Sequence, residues 1–253
     1  MGERFEEHQQ SKAEYVADVV NRTVHDLVIR STRTEGIRNY YYVSILSYGK
    51  SVGPALCGPL AGKTQLPISE IAETPARLEV RTKRISNGEN GFTDQQVRFP
   101  VWVDAVSAGW TQMCAGLTRV RELLDAWLDE HHDGFPPTVL HLTDGASTDG
   151  DPTAIGNDIR AKSTSDGSVL LFNCHVSAKH TTKCEYPEND SCLPDHRART
   201  LFNISSPLPD PFREMANYLG IRAAVGARGF VFNGDPVSVA QFFEIGTRPA
   251  LLR

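Results

Sequence analysis

Apolar residues recur at Val16, Val19, Val20, Val24, Leu27 and Val28, a spacing that puts them on one stripe of a helix over Ser11–Ser31. Ser11 and Glu14 stand at capping-box spacing at its start. The period then changes. Tyr40-Tyr41-Tyr42-Val43-Ser44-Ile45-Leu46 is aromatic and β-branched and predicts a strand over Arg38–Tyr48. From 49 to 96 the rhythm breaks at Gly53-Pro54, Gly58-Pro59, Pro67, Pro75 and Asn87-Gly88. This predicts an elaborated connection over 49–100 holding one hairpin, Leu78–Arg84 against Gln96–Val103. Gly109-Trp110-Thr111 then leads into an amphipathic helix through Met113, Leu117, Val120, Leu123, Leu124 and Trp127.

The second half alternates. Pro137–Thr143 is a nearly unbroken apolar run, as expected of a strand buried on both faces. A helix fits Thr153–Lys162, and Ser168–Val176 is another buried strand. Residues 177–196 read as a surface loop, Arg199–Ile204 as a short strand and Pro211–Leu219 as a helix. Gly229–Phe232 is a last strand and Val237–Ile245 a closing helix. Helix and strand in alternation predict one doubly wound α/β domain over 1–253, with a mostly parallel sheet covered by helices on both faces. The order opens on a helix, where this architecture normally opens on a strand.

Composition narrows the function classes. The chain has 253 residues, 40% apolar and 23% charged, with 26 Lys and Arg against 31 Asp and Glu. A net charge of −5 without a basic stripe argues against nucleic acid or an anionic membrane as partner. No apolar stretch reaches the roughly 20 residues of a membrane helix. Met1-Gly2-Glu3-Arg4-Phe5-Glu6 lacks the apolar core of a signal peptide, and Glu6 departs from a myristoylation site. Five cysteines, an odd number in or beside apolar runs, predict reduced thiols and a cytoplasmic protein.

Parallel sheets bind ligands beyond the carboxyl ends of their strands, and Asp144 arrives there, followed by the acidic loop Ala146-Ser147-Thr148-Asp149-Gly150-Asp151-Pro152. Thr111 should meet it at the same edge. A hydroxyl and a carboxylate are hard oxygen ligands of the kind Mg²⁺ takes. At Gly109-Trp110-Thr111-Gln112-Met113 and Leu142-Thr143-Asp144-Gly145 the chain resembles the von Willebrand factor A domain family. The closing run Ala227-Arg228-Gly229-Phe230-Val231-Phe232-Asn233 and the Pro-rich connection are similar to its intracellular bacterial members.

In that family a metal-ion-dependent adhesion site combines an Asp-x-Ser-x-Ser motif after the first strand, a Thr in a later loop and an Asp after the fourth strand. A carboxylate from the partner completes the metal's shell. The resemblance implies a protein–protein interaction module rather than an enzyme, with Thr111 and Asp144 as ligands of Mg²⁺ or Mn²⁺ and Asp149 and Asp151 along the rim. The Asp-x-Ser-x-Ser motif is absent from the chain, and Met1-Gly2-Glu3-Arg4-Phe5 resembles the stretch that follows it. The first strand and most of the ligand set are therefore expected to be missing, and two ligands hold a divalent ion weakly if at all.

Other residues in the chain carry other candidate chemistry. His180, Cys184, Cys192 and His196 are zinc-ligand types that would make a zinc-stabilised structural module, but their intervals match no standard finger. The expectation is a solvated loop with incidental, dispensable thiols and no zinc. Asp144 activating water would make a metal-assisted hydrolase, for which no second base or nucleophile stands out. Cys57-Gly58-Pro59-Leu60-Ala61-Gly62-Lys63-Thr64 looks like a phosphate-binding loop, yet Pro67 opposes the helix it needs. Asp144–Asp151 fails calcium-loop spacing, and no Gly-x-Ser-x-Gly occurs. His131-His132 is expected at a solvated helix end, and His141 as a satisfied buried imidazole.

Overall fold

The computed structural model describes residues 1–4, 10–86, 91–107, 109–177 and 182–248. In chain order the main elements are α1 Lys12–Ser31, α2 Ile68–Glu73, β1 Arg77–Ser86, β2 Phe92–Val101, α3 Met113–Glu130, β3 Thr138–Thr143, α4 Thr153–Ala161, β4 Leu170–Val176, β5 Cys184–Glu185, α5 His196–Ile204, α6 Asp210–Tyr218, β6 Phe230–Gly234 and α7 Pro236–Thr247. The architecture is mixed α/β. Among the described residues no helix is long and apolar enough to cross a membrane. The chain divides into two compact units, one of Met1–Val19, Leu46–Gly53 and Ala105–Arg253, the other of Val20–Ile45 and Pro54–Asp104.

The first unit holds a four-stranded sheet in the order β5-β6-β4-β3. β3 and β4 run parallel from Thr138↔Leu170 to Thr143↔His175, and β6 runs parallel to β4 with Phe230 opposite Asn173. β5 pairs antiparallel with β6. Both faces of β4 are covered, which is why Leu170–Val176 is apolar almost throughout. On one face Leu171 joins Met113, Leu117, Ile159, Leu201, Phe202 and Phe230 in a core roofed by α3, α4 and α5. On the other, Phe172 meets Phe212 of α6 edge to face at 5.3 Å. α7 approaches β3 closely at Gly246, where an added Cβ would lie 2.4 Å from Leu140 Cδ2. Only glycine fits there.

α1 begins as expected. Ser11 N donates to Glu14 Oε2 at 2.7 Å, and Glu14 N donates to Ser11 Oγ at 3.2 Å, closing the capping box.

The second unit is built on Val24, Leu27, Leu56, Leu60, Leu66, Ile68, Ile71, Trp102 and Val103. Buried Asn21 organises it, accepting at Oδ1 from the backbone N–H of Trp102 (2.8 Å) and Val103 (3.0 Å). Trp102 Nε1 in turn donates to Ile71 O at 2.7 Å. β1 and β2 form the expected hairpin, with Arg77 opposite Val101 and Arg84 opposite Asp94. Its second strand starts at Phe92 rather than Gln96, so the register lies nearer the turn than predicted. Asn87-Gly88 lies outside the described residues. Gly58–Leu60 is a single 3₁₀ turn and Leu66–Pro67 a short strand, so no helix starts at Lys63-Thr64, as a phosphate loop needs; α2 begins only at Ile68.

Three expectations are corrected. Arg38–Tyr48 is not one strand and is not in the four-stranded sheet. Tyr42–Val43 pairs with Leu66–Pro67, and Leu46–Tyr48 pairs with Val52–Pro54. Aromatic and β-branched residues favour extended backbone, but which partner they find is a tertiary matter. Arg199–Ile204 is helix α5, not strand. Asp195 caps it by accepting from Ala198 N at 2.9 Å, and Ala198, Leu201 and Phe202 form its buried stripe. The loop 177–196 is also more than a loop. It contributes β5 to the sheet, and Cys184 and Cys192 form a disulfide with Cα atoms 6.3 Å apart.

That disulfide overturns the expectation of reduced, incidental thiols in this loop. Cys184 sits in the same core as Leu193 and Phe230. Closing a loop of sequence separation 8 removes denatured-state entropy equivalent to about 2.6 kcal/mol. Replacing both cysteines by serine should therefore lower unfolding free energy by roughly 2–3 kcal/mol. Thermal melts with and without reductant read this directly, and unchanged transitions would remove the disulfide from the stability account.

Candidate functional site

Two loops converge at the carboxyl end of β3. Thr143 Oγ1 donates to Gly145 O at 2.8 Å and accepts from Gly145 N at 3.3 Å, turning the chain as it leaves the sheet. The segment before α3 is tied to the loop beyond it. Thr148 N donates to Thr111 O at 2.9 Å, and Thr111 N donates to Thr148 Oγ1 at 3.2 Å. A Cβ on Gly145 would lie 3.5 Å from Thr111 Oγ1. The structure thus places Thr111 beside the Asp144–Gly145 step, at the sheet edge where the topology put both.

The acidic loop is committed to helix starts. Asp149 accepts from the backbone N–H of Cys114 (3.0 Å) and Ala115 (2.9 Å), and from Ser147 Oγ (2.9 Å). The α3 N-cap residue, Gln112, makes no side-chain cap bond, so Asp149 supplies the capping carboxylate from across the loop. Burial pushes the Asp149 pKa up, but the N–H groups of Ala115 and Cys114 and the Ser147 hydroxyl outweigh it and hold it below the ordinary value. Asp151 accepts from Thr153 N at 2.9 Å and Thr153 Oγ1 at 2.6 Å at the start of α4. Both were expected along the rim. They are exposed, and each is spent on a helix N-terminus.

Asp144 is engaged by cations of the chain itself. Its Oδ2 pairs with the Met1 ammonium and lies 3.2 Å from Lys12 Nζ. Lys12 is only 4% exposed, and its Nζ also lies 3.0 Å from Glu3 Oε2. Sequence reasoning missed Lys12. The available signal was a lysine at the first helical position beside an apolar stripe, a place more often solvated. On the neighbouring strand His175 stacks on Phe232 at 4.8 Å and accepts from Asn233 N at 3.4 Å. Burial lowers its pKa, and the nearby Lys12 charge lowers it further.

This donor set does not fit the divalent ion that the resemblance implies. Thr111 and Asp144 are neighbours, but a metal on Asp144 would face the Lys12 ammonium. At an effective dielectric near 20, a divalent ion about 4 Å from one ammonium is opposed by about 8 kcal/mol, twice the unit-charge figure. Among the described residues no three His, Cys, Asp or Glu are grouped to hold a metal ion.

The alternative cluster is not assembled either. His180 lies outside the described residues, His196 is the first residue of α5, and a disulfide withholds the Cys184 and Cys192 thiolates that zinc requires. His131 stacks on Trp127 at 3.6 Å at the end of α3. His141 is buried and bonded at both nitrogens, to Tyr48 OH and to Asn173 Oδ1, each at 2.7 Å. Beside Thr111, Trp110 is 62% exposed, with Val106 exposed as well.

Compared with protein-family models, with curated proteins and with solved structures, the chain finds no match.

Proposed function

We propose that the chain is a protein-interaction module of the doubly wound, von Willebrand factor A-like kind, and that it meets its partner at the carboxyl edge of its sheet. The observation that carries this reading is the tie between the Thr111 segment and the Gly145–Asp149 loop through Thr148. The first holds one motif on which the resemblance rests and the second directly follows the other, and they are far apart in sequence. The parallel β3, β4 and β6 with intervening helices support the same reading. Because the donor set does not suit a divalent ion, no step of recognition is routed through one.

Trp110 is the natural anchor. A large aromatic held in the open offers contact area, and tryptophan is enriched among residues that dominate interfaces. Its side chain is exposed, so Trp110→Ala should leave the melting temperature unchanged. Proteins captured by the wild-type chain should bind the variant about tenfold more weakly or worse, a loss of about 1.4 kcal/mol. The check is affinity capture on both baits, followed by titration of each retained protein. Equal affinities for wild type, Trp110→Ala and Thr148→Ala would show that this edge is not the interface.

A further inference from the structure

We infer that Lys12 is the resident cation of this edge, standing where the resemblance expects a divalent metal, so that the site works without one. The inference rests on the proposed interaction role of the same edge. Lys12 Nζ lies between two carboxylates, 3.2 Å from Asp144 Oδ2 and 3.0 Å from Glu3 Oε2. A lysine this buried keeps its charge only where carboxylates compensate the lost water.

The arrangement reproduces the order of charges in a metal-bridged contact. Asp144, 20% exposed at the strand end, is the inner carboxylate. The ammonium is the cation. Glu3, 70% exposed, is the outer carboxylate. Glu3 is further seated by its carbonyl, which accepts from Lys12 N at 2.8 Å. With its ammonium against both carboxylates, Lys12 offsets the charge on Asp144 that a divalent ion would need.

The test is calorimetric titration of the full chain with Mn²⁺ at neutral pH, comparing wild type, Lys12→Arg and Lys12→Met. Wild type and Lys12→Arg should give no saturable binding into the millimolar range. Lys12→Met should bind Mn²⁺ saturably, roughly tenfold or more tighter than wild type, and lose that binding when Asp144→Asn is added. Saturable wild-type binding that Asp144→Asn abolishes overturns the inference, as does a folded Lys12→Met with no gained affinity. Should Lys12→Met not fold, Lys12→Gln and the wild-type titration decide by the same criteria. These titrations read only the cation, so their failure is distinct from a failure of partner capture at Trp110.

Discussion

Asn173→Leu should cost about 3–5 kcal/mol of unfolding free energy, because it removes the middle of a buried polar chain. Asn173 is fully buried in the centre of β4. Its Oδ1 accepts from His141 Nδ1 at 2.7 Å, and its Nδ2 donates to Ser205 Oγ at 2.8 Å. Ser205 Oγ passes its own proton to Leu201 O at 2.8 Å, so β3, β4 and α5 are linked by one run of hydrogen bonds. Leucine fills the volume but bonds to neither neighbour. The two short bonds are lost at about 1 kcal/mol each, together with a longer one from Nδ2 to Leu201 O at 3.4 Å, and the stranded His141 N–H adds a further ~1–3 kcal/mol. Urea unfolding measures the sum, and a loss below about 1 kcal/mol would show that the chain is not structural. The double variant with His141→Leu should cost less than the two single losses added, since both partners then become apolar.

What was legible in the sequence was local or periodic. The Ser11/Glu14 box and the valine stripe gave α1. The unbroken run at Ser168–Val176 marked β4, because a strand covered on both faces leaves no room for polar alternation. The run at Pro137–Thr143 marked β3 as a strand but not its place, since β3 is the edge of the sheet and only His141 and Thr143 in it are buried. The meeting of Thr111 with the Asp144 loop followed from topology. Arg199–Ile204 misled because Leu201, Phe202 and Ile204 read equally as a short strand, and the deciding cap, Asp195, lies outside that window. The rest depended on contacts far apart in the chain. Nothing near Asp149 says that it will cap α3, and nothing near Lys12 says that its ammonium will be buried against Asp144. Cys184 and Cys192 are separated by a short interval, but their pairing follows from β5 joining the sheet edge.

His141 makes the fold acid-sensitive well above the carboxylate range. Burial drives its pKa from 6.5 down to about 4, while the bond to Asn173 works the other way and loses. The neutral tautomer that suits its neighbours carries the proton on Nδ1 for Asn173 and leaves Nε2 to the Tyr48 hydroxyl. Between pH 6.5 and 4 the unfolded chain therefore binds a proton that the folded chain refuses, so stability rises with pH across that window and falls on acidification. The loss from this group is about 2 kcal/mol at pH 5 and about 3 kcal/mol at pH 4. His175, also lowered by burial and by Lys12, adds to it in the same direction. The carboxylate of Asp149, held below its ordinary value, contributes only at lower pH. Urea unfolding at pH 7, 5 and 4 should show this slope, and His141→Gln, which cannot titrate, should flatten most of it. A wild-type profile that is level from pH 7 to 4.5 would mean that His141 takes up its proton inside the folded protein, with Tyr48 then donating to Leu142 O, an acceptor already 2.8 Å away.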